Sequence, residues 1–438
     1  MSNAFYQIIS KFFTSLFSVI FLLTGMKSGF TSDDVKTPEE FTPVLRFVAC
    51  SDIHLNGDEN QSNAKRFADL INDMYEYSEN EEYKSLDAIV VAGDFTGGGA
   101  EKEYEIYNKI IAENVKDDTQ VLTILGNHEF IDYRDVDATV GYDVFKKYIS
   151  EDVDTDVVIN GYHFIGVSYD DDGKSFTGKI QWLEERLWNA TQEDPDKPIF
   201  VYQHPHPALT VYGSGNWGDV TLRAVLNKYP QVVDFSGHSH YAASDPRSIW
   251  QGEFTAVGCG ALKAFMGNLN YIDGDKDAPG ESGGAWLVEV DAQGNVSMKL
   301  YDAVNRKFFE DIDYYLTDLS DPEKRTHNWH QQKSRDTQPL FPVGAEVSSF
   351  TNENNETVLT FPEAKGYYYA ENYKVIVYNS SNKTIYEQTV ISEYVRATNE
   401  DVQVNIGALE KGEYSVKITA CSPYSLSGQV LKGSITIK

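Results

Sequence analysis

The stretch LTILGNHEF, Leu122–Phe130, joins an apolar run directly to a glycine, an asparagine, a histidine and a glutamate. The apolar half has the composition of a buried strand, and the glycine permits a tight turn after it. A turn does not need an amide, an imidazole and a carboxylate in succession. The presence of Asn127, His128 and Glu129 therefore indicates chemistry at the tip of a strand.

Similar apolar runs alternate with amphipathic segments from Val44 onward. The runs are VLRFVACSDIH, LDAIVVAGDFT, QVLTILGNHEF, YHFIGVSYD, PIFVYQHPH, VVDFSGHSH and FTAVGCGA. Between them, AKRFADLINDMYEYSE, EKEYEIYNKIIAENV and GKIQWLEERLWNAT have the spacing of amphipathic helices. The alternation predicts βαβ units in an α/β domain, which ends with the hairpin GGAWLVEVDAQGNVSMKLYD.

The composition changes after about residue 310. Residues 311–342 are polar and without hydrophobic periodicity, which predicts a linker. Residues 343–438 contain seven short alternating runs separated by turns, which predicts an all-β sandwich. Their pattern, with GEYSVKITA near its end, resembles a fibronectin type III or immunoglobulin-like module. The α/β domain is then expected at residues 31–310.

The first thirty residues differ from the rest of the chain. Lys11 precedes an apolar run, Phe12–Leu23, which is followed by small and polar residues. This layout predicts a secretory signal at residues 1–30, with an uncleaved N-terminal membrane anchor as the alternative. We therefore expect a secreted or extracytoplasmic protein that contacts a membrane only if the N-terminus stays attached.

The overall charge bears on the partners of the protein. Asp and Glu outnumber Lys and Arg by 67 to 37, a formal net charge of -30, so the surface repels polyanions and nucleic acid is not an expected partner. A hydrophobic content of 41% is enough for packed cores. The three cysteines lie far apart, and an odd number cannot all pair, so we expect buried thiols.

Polar side chains follow five of the predicted strands. They are Asp52 and His54 in SDIH, Asp94 in AGDF, Asn127 and His128 in GNHE, His204 in YQHPH, and His238 and His240 in GHSH. Strand ends in such sheets meet at a ligand-binding crevice. Mixed oxygen and nitrogen donors suit Mn, Fe or Zn better than Ca, and their number indicates two metal ions. Residues two apart in an extended segment would point to the same side.

In this order the blocks SDIH, GD, GNHE, H and GHSH resemble the calcineurin-like metallophosphoesterase signature, over roughly Val44–Asp302. The resemblance implies a sheet sandwich flanked by helices that hydrolyses phosphate monoesters or diesters by attack of a metal-bridging hydroxide. The expected substrate is a nucleotide, a phospholipid headgroup or another small phosphate ester. It also implies a bridging Asp94, and a His128 that contacts the phosphate or protonates the leaving group. The implied ligands are Asp52, His54 and His240 for one ion, and Asn127, His204 and His238 for the other.

Other residues near these blocks have open roles. In QHPHP we favour His204 as the ligand because it lies nearest the strand, which leaves His206 to face the substrate, to support a ligand or to lie at the surface. Glu129 either orients a neighbouring imidazole or ligand, or is a solvated turn residue. Trp217 lies in a glycine-rich loop that is either a lid or wall of the site or a packed structural loop.

Arg134 follows the third block closely. Arginine can bind two phosphate oxygens at once, but pairing with Asp132 or Asp135 at the surface is the favoured expectation.

Two competing functions follow from the same residues. A purple-acid-phosphatase-like site would carry a tyrosinate in or near the GD block, but Phe95 follows Asp94 and no tyrosine is close. The alternative from another class is a surface-binding or adhesion protein that uses the metallophosphoesterase fold as a scaffold. A scaffold would be expected to lose some ligands, whereas every ligand position is filled here.

Overall fold

The structure is a computed structural model of the 438-residue chain, and it describes residues 36–263, 283–397 and 401–438. The chain divides into two compact units. The first unit contains Ser32–Arg335 with Val390–Asn399, and the second contains Asp336–Thr389 with Glu400–Lys438. The predicted signal or anchor, residues 1–30, lies outside the described residues. Among the described residues, no helix has both the length and the apolar character needed to span a bilayer.

The described part of the first unit alternates strands and helices along the chain. Its strands are β1 (Pro43–Cys50), β2 (Ala88–Val91), β3 (Gln120–Thr123), β4 (Thr155–Ile159), β5 (Tyr162–Val167), β6 (Ile199–Gln203), β7 (His206–Pro207), β8 (Gly218–Asp219), β9 (Val232–Ser236), β10 (Ile249–Gln251), β11 (Thr255–Gly258), β12 (Gly284–Asp291), β13 (Val296–Asp302) and β14 (Lys307–Leu316). Its helices are α1 (Ser62–Asn80), α2 (Glu101–Asn114), α3 (Thr139–Tyr148), α4 (Ile180–Glu193), α5 (Ser214–Trp217), α6 (Val220–Leu226) and α7 (Trp329–Arg335). Short 3-10 helices lie at His128–Phe130, Pro246–Ser248, Pro322–Lys324 and Glu393–Val395.

Two six-stranded sheets organise this unit. Their strand orders are β14-β13-β12-β1-β2-β3 and β10-β11-β9-β6-β5-β4, and β7 and β8 form a separate short ladder. Strands β1, β2 and β3 are parallel in the first sheet, and β5, β6, β9 and β11 are parallel in the second. The predicted α/β class is confirmed. Within each sheet the carboxyl ends of the parallel strands lie at one edge, where the polar residues follow them.

Aromatic residues join the two sheets face to face. Phe47 of β1 packs edge-on against Phe164, Phe200 and Phe235 of the second sheet, with ring centroids 5.0, 4.9 and 5.8 Å away. All four side chains are buried. Because edge-to-face aromatic pairs add to the free energy gained by burial, this cluster fixes the spacing of the sheets on which the functional strand ends depend.

The helices cover the outer faces of the sheets with apolar stripes. In α1 the buried residues Phe67, Leu70, Ile71 and Met74 recur at helical spacing. Phe67 stacks on Tyr107 of α2 at a centroid distance of 5.7 Å. The predicted sheet sandwich flanked by helices is therefore the observed architecture.

The domain boundary differs from the predicted one. The composition predicts a linker at residues 311–342, but β14 continues to Leu316 and the first unit extends to Arg335. Gln332 Nε2 donates hydrogen bonds to the carbonyl oxygens of Pro246 (2.7 Å) and Ile249 (2.9 Å). Because polar side chains rather than an apolar stripe make these contacts, the segment has no hydrophobic periodicity.

His327 in this segment predicts a pH-dependent stability. Its Nε2 is buried without a hydrogen-bond partner among the described residues, and burial, followed by Arg335, lowers the pKa of the imidazole to about 3. The unfolded chain therefore takes up the proton first, below about pH 6.5, so stability is complete above that pH and is lost as the pH falls toward 3. When the pH falls from about 7.5 to about 5, the unfolding free energy of the wild type should decrease by about 2 kcal/mol more than that of His327→Phe. Urea denaturation at the two pH values measures this, and equal losses in both proteins would contradict it.

The second unit is an antiparallel β-sandwich. Its strands are β15 (Ser348–Thr351), β16 (Thr357–Phe361), β17 (Asn372–Tyr378), β18 (Thr384–Ile391), β19 (Val402–Asn405), β20 (Gly412–Cys421) and β21 (Ser427–Ile437). The sheets have the orders β15-β16-β19 and β18-β17-β20-β21. Phe361 and Tyr373, one from each sheet, pack edge to face at 5.1 Å. The seven predicted strands are confirmed, but Cys421 is only half-buried, whereas Cys50 and Cys259 are buried as expected.

Candidate metal centre

The polar residues that follow β1, β2, β6 and β9 come together in space. Positive φ angles occur at five of them: Asp52 (54°), His54 (51°), Asp94 (50°), His238 (71°) and His240 (55°). The extended conformation expected for the pairs two residues apart is therefore wrong. Residues other than glycine rarely adopt this left-handed backbone conformation, and such strain concentrates at functional sites.

The first group of ligand atoms belongs to Asp52, His54 and His240. His240 Nε2 lies 3.0 Å from Asp52 Oδ1, and His54 Nε2 lies 3.5 Å from the same oxygen. The two imidazole nitrogens are 3.0 Å apart. Three donor atoms thus point at one small volume.

The second group belongs to Asp94, His204 and His238. His204 Nε2 lies 3.0 Å from Asp94 Oδ2 and 3.2 Å from His238 Nδ1. Asn127 Oδ1 is buried and has no hydrogen-bond partner among the described residues. A buried amide oxygen without a donor costs about 1 to 3 kcal/mol, so Asn127 fits a cation that accepts its lone pair.

Asp94 lies between the two groups. Its Oδ2 is 3.0 Å from His204 Nε2 and 3.9 Å from the Nε2 atoms of both His54 and His128. Its Oδ1 accepts a hydrogen bond from the His128 backbone N–H at 2.8 Å. One carboxylate oxygen thus holds the neighbouring backbone, and the other is directed at both groups, which is the arrangement that a bridging ligand requires.

The electrostatics of the site also fit a cation. Although burial acts in the opposite direction, His240 and His204 hold the pKa of Asp52 well below its ordinary value. Burial would lower the pKa of His204, but the charges of Asp94 and Asp52 raise it to about 9. The carboxylates therefore draw positive charge into the buried site. A metal ion would supply that charge in place of the imidazole proton, which would be released on binding.

Two glycines make this convergence sterically possible. A Cβ atom on Gly126 would lie 2.2 Å from Asp94 Oδ1, and one on Gly237 would lie 2.2 Å from Asp52 Oδ2. Any larger residue would displace the carboxylates.

His128 is oriented by the backbone. Its Nδ1 lies 2.8 Å from the carbonyl oxygen of Gly97, a geometry in which the ring N–H donates and Nε2 is directed toward Asp94. The side chain is 30% exposed, whereas that of His54 is 2% exposed. The His128 imidazole can therefore meet both the ligand cluster and a substrate from solvent.

Glu129 is fully buried and does not face solvent. Its carboxylate accepts hydrogen bonds from the backbone N–H groups of Asp94, Thr96 and Gly126, at 3.1, 2.8 and 2.6 Å, and from the Thr96 hydroxyl at 2.9 Å. Burial first, and then Asp94, raises its pKa to about 8. Glu129 is therefore not a solvated turn residue. Its hydrogen bonds connect the two loops that carry Asp94 and Asn127 and so support these candidate ligands.

This role predicts a stability effect. Gln in place of Glu129 presents an NH₂ group to backbone N–H donors, so at least one buried donor loses its acceptor. We expect Glu129→Gln to lower the unfolding free energy by about 2 to 4 kcal/mol. Denaturant titration of the metal-loaded protein measures this. A loss below about 0.5 kcal/mol, the range of ordinary surface substitutions, would contradict the role.

The structure distinguishes the roles of the two histidines in the fourth block, His204 and His206. His204 belongs to the second group of ligand atoms. His206 is buried, with Nδ1 2.9 Å from Ser236 Oγ and Nε2 2.7 Å from Ser239 Oγ. Burial, and then His238, lowers the pKa of His206 to about 3, so this imidazole is neutral. His206 supports the loop that carries His238 and does not face the substrate.

Trp217 borders the site. It is half-buried, and its ring lies edge-on to that of His238 with centroids 5.3 Å apart. The ladder of β7 with β8 anchors its loop, and a Cβ on Gly213 would lie 2.9 Å from the Ser239 side chain. The loop is therefore packed against the block that carries His238, and Trp217 forms a wall beside the second group.

Sequence reasoning missed Tyr169. It follows β5 by two residues, its side chain is 6% exposed, and its ring centroid is 6.3 Å from that of His204. The strand YHFIGVSYD ends at the same edge as the others, so its position was a usable signal.

Comparisons with known proteins agree with this geometry. Residues 45–242 match the family model of the calcineurin-like phosphoesterases. The chain is 28% identical over 169 residues to the glycerophosphodiester phosphodiesterase GpdQ of Enterobacter lignolyticus (strain SCF1), a match that covers 35% of this chain and 56% of the relative. The chain thus spans about half the length of that curated relative.

Solved structures of low identity also match. Purple acid phosphatase PPD1 from seeds of yellow lupin (Lupinus luteus) is 12% identical, with a TM-score of 0.44 over 68% of this chain and 56% of that one. The protein TT1561 of Thermus thermophilus is 15% identical, with a TM-score of 0.32 over 61% and 97%. The matched segment contains every candidate metal ligand, from Asp52 to His240. Residues 45–242 are therefore similar to the calcineurin-like phosphoesterases.

Proposed function

We propose that this domain hydrolyses phosphate esters at a dinuclear metal centre. The observation that carries the proposal is the position of Asp94, whose Oδ2 faces both groups of ligand atoms. The ligands assigned to one ion are Asp52, His54 and His240, and those assigned to the other are Asn127, His204 and His238. Because these donors are mainly imidazole nitrogens with few carboxylates, we propose Mn, Fe or Zn rather than Ca.

The residues of the chain divide the work. When bound, the two ions would polarise the phosphoryl oxygens and lower the pKa of a shared water toward neutrality. Asp94 would hold the two halves of the site in register. His128, with Nδ1–H bonded to the Gly97 carbonyl, would in its imidazolium form present Nε2–H to the leaving-group oxygen and give it that proton.

The ester class is a finer proposal. The name of the curated relative, a glycerophosphodiester phosphodiesterase, favours a diester for the matched segment. The site residues are equally compatible with a monoester, since the proposed nucleophile and proton donor are the same for both.

Hydrolysis of p-nitrophenyl phosphate and of bis(p-nitrophenyl) phosphate tests the proposal. The chain is depleted of metal with a chelator and then supplied separately with Mn, Fe(II) or Zn. We expect turnover of at least one ester only after metal is returned. Metal-loaded protein that hydrolyses neither ester would contradict the proposal and favour the surface-binding alternative.

We also propose that the chain is exported. The support is the N-terminal layout of Lys11 before Phe12–Leu23. Mass spectrometry of the extracytoplasmic fraction should find a mature N-terminus near residue 31. An intact N-terminus in the membrane fraction would support the anchor instead, and an intact chain confined to the cytoplasm would contradict export.

A further inference from the structure

The positively charged side chain of Arg134 lies beside the second group of ligand atoms. The Arg134 guanidinium Nη2 is 3.5 Å from the backbone oxygen of Asn127, whose side-chain oxygen is a buried acceptor without a partner among the described residues. Arg134 is exposed, so its guanidinium is accessible to a ligand from solvent. In a chain with a formal net charge of -30, a cation at this point is unexpected unless it meets an anion.

The expected pairing of Arg134 with its acidic neighbours is not observed. Within the described part of the chain, no carboxylate oxygen lies within 4.0 Å of its guanidinium nitrogens. The Asp132 carboxylate packs beside Gly98 instead, where an added Cβ would meet it at 2.8 Å. By contrast, the guanidinium groups of Arg46 and Arg247 each hold a carboxylate at 2.6 Å. The charge of Arg134 is thus available to a ligand.

Tyr169 adds a neutral donor to the same region. Its ring is buried beside His204, and its hydroxyl has no hydrogen-bond partner among the described residues. The Tyr169 hydroxyl is therefore placed to donate a hydrogen bond to a ligand beside His204.

Charge balance indicates what this region would bind. Two divalent ions, the carboxylates of Asp52 and Asp94, and one deprotonated water leave a net charge of about one positive unit. A diester phosphate, with one negative charge, neutralises that unit. Arg134 adds a further positive charge that a simple diester leaves unmatched.

We propose that Arg134, assisted by the Tyr169 hydroxyl, binds a second negative charge on the substrate. The inference rests on the proposed function and narrows its substrate class. The second charge belongs either to the scissile phosphate, as in a monoester dianion, or to an anionic group elsewhere on the substrate. Both sources share the same chemistry, which is a negative charge beside Asn127 that the two metal ions do not neutralise.

Four chromogenic esters test the inference at a pH well above the second pKa of phosphate, about 6. Bis(p-nitrophenyl) phosphate and thymidine 5′-(p-nitrophenyl phosphate) carry one charge. The monoester p-nitrophenyl phosphate carries a second charge on the scissile group. The 3′-phosphorylated form of the thymidine ester carries two further charges, on a phosphate away from the scissile group. We expect Arg134→Gln to lower kcat/KM about tenfold on at least one of the two more highly charged esters and less than about threefold on the others. Which of the two charged esters responds identifies the source.

Matched variants distinguish the effect of the charge at Arg134 from the effect of the overall charge of the protein. Arg134→Lys keeps the cation and should recover most of kcat/KM. Lys228→Gln removes another exposed cation, which pairs with Glu184 at 2.6 Å. This variant should leave the relative kcat/KM values of the four esters as they are in the wild type. Tyr169→Phe should lower kcat/KM on the responding ester about threefold.

A binding measurement provides a readout independent of turnover. Calorimetric titration of metal-loaded protein with inorganic phosphate should show about tenfold weaker binding in Arg134→Gln, restored in Arg134→Lys. Equal effects of Arg134→Gln on all four esters, with unchanged phosphate affinity, would overturn this inference and leave the proposed function standing. A metal-loaded wild type that hydrolyses none of the esters would overturn the proposed function, and this inference with it.

Discussion

Asp94→Asn should abolish both metal retention and hydrolysis. The substitution keeps the shape of the side chain but removes the charge that faces both ligand groups, and the new amide would present either an NH₂ group or a neutral oxygen to them. We expect kcat/KM to fall at least about 10³-fold, because positioning and activation of the attacking water both depend on the pair of ions. Steady-state kinetics with the better nitrophenyl ester, beside elemental analysis of the purified variant, measures the two effects.

Asp234→Asn is the matched control for this experiment. Asp234 is also a fully buried aspartate, on β9, but it lies outside the ligand groups and receives hydrogen bonds from Gln203. Burial raises its pKa to about 8, so the carboxyl is mostly neutral at pH 7 and an amide replaces it with little change in charge. The control should retain metal and keep kcat/KM within about threefold. Similar losses in both variants would mean that general damage to the core, rather than a bridging role, explains the Asp94 result.

His128→Gln should reduce kcat while leaving the metal content unchanged. Loss of a general acid typically costs about 10²- to 10⁴-fold in rate. The loss should be larger for an alkyl ester, whose leaving alkoxide needs a proton, than for a nitrophenyl ester, whose leaving group is stable without one. Parallel assays of both esters, with elemental analysis, measure the predicted contrast.

The result also tests an alternative role for His128. One of its ring nitrogens lies within 4.8 Å of ligand atoms of both His54 and Asp94, so the imidazole could itself be a ligand. Loss of one ion from His128→Gln would favour that role and contradict the proton donor. His163→Gln, which removes a histidine paired with Glu193 on the protein surface, should change neither quantity.

Much of the fold was predictable because the sequence repeats simple patterns. The seven runs of the sandwich alternate apolar and polar residues, and all seven are strands. The segment around α7 could not be found in this way, because Gln332 attaches it through hydrogen bonds to backbone carbonyls. A polar side chain that satisfies a distant carbonyl resembles a solvated one in sequence.

The candidate site was predictable in its residues and less so in its geometry. The ligand blocks could be located because polar residues interrupt apolar runs at strand ends. The left-handed backbone at Asp52 and His54 could not be foreseen, since nothing in SDIH requires it. The burial of Glu129 depends on how separate loops pack, and so does the position of the Asp132 carboxylate beside Gly98. The same packing leaves Arg134 without a carboxylate partner among the described residues. These features arise from tertiary packing and have no signal in the local sequence.

The central claim is that this domain holds two metal ions with Asp94 between them. Crystals of the metal-loaded protein, with anomalous diffraction measured at the absorption edge of the bound metal, test it most directly. We predict two anomalous peaks: one among Asp52, His54 and His240, and one among Asn127, His204 and His238, with Asp94 Oδ2 contacting both. A single peak, or peaks away from Asp94, in protein shown by elemental analysis to be fully loaded would contradict the claim.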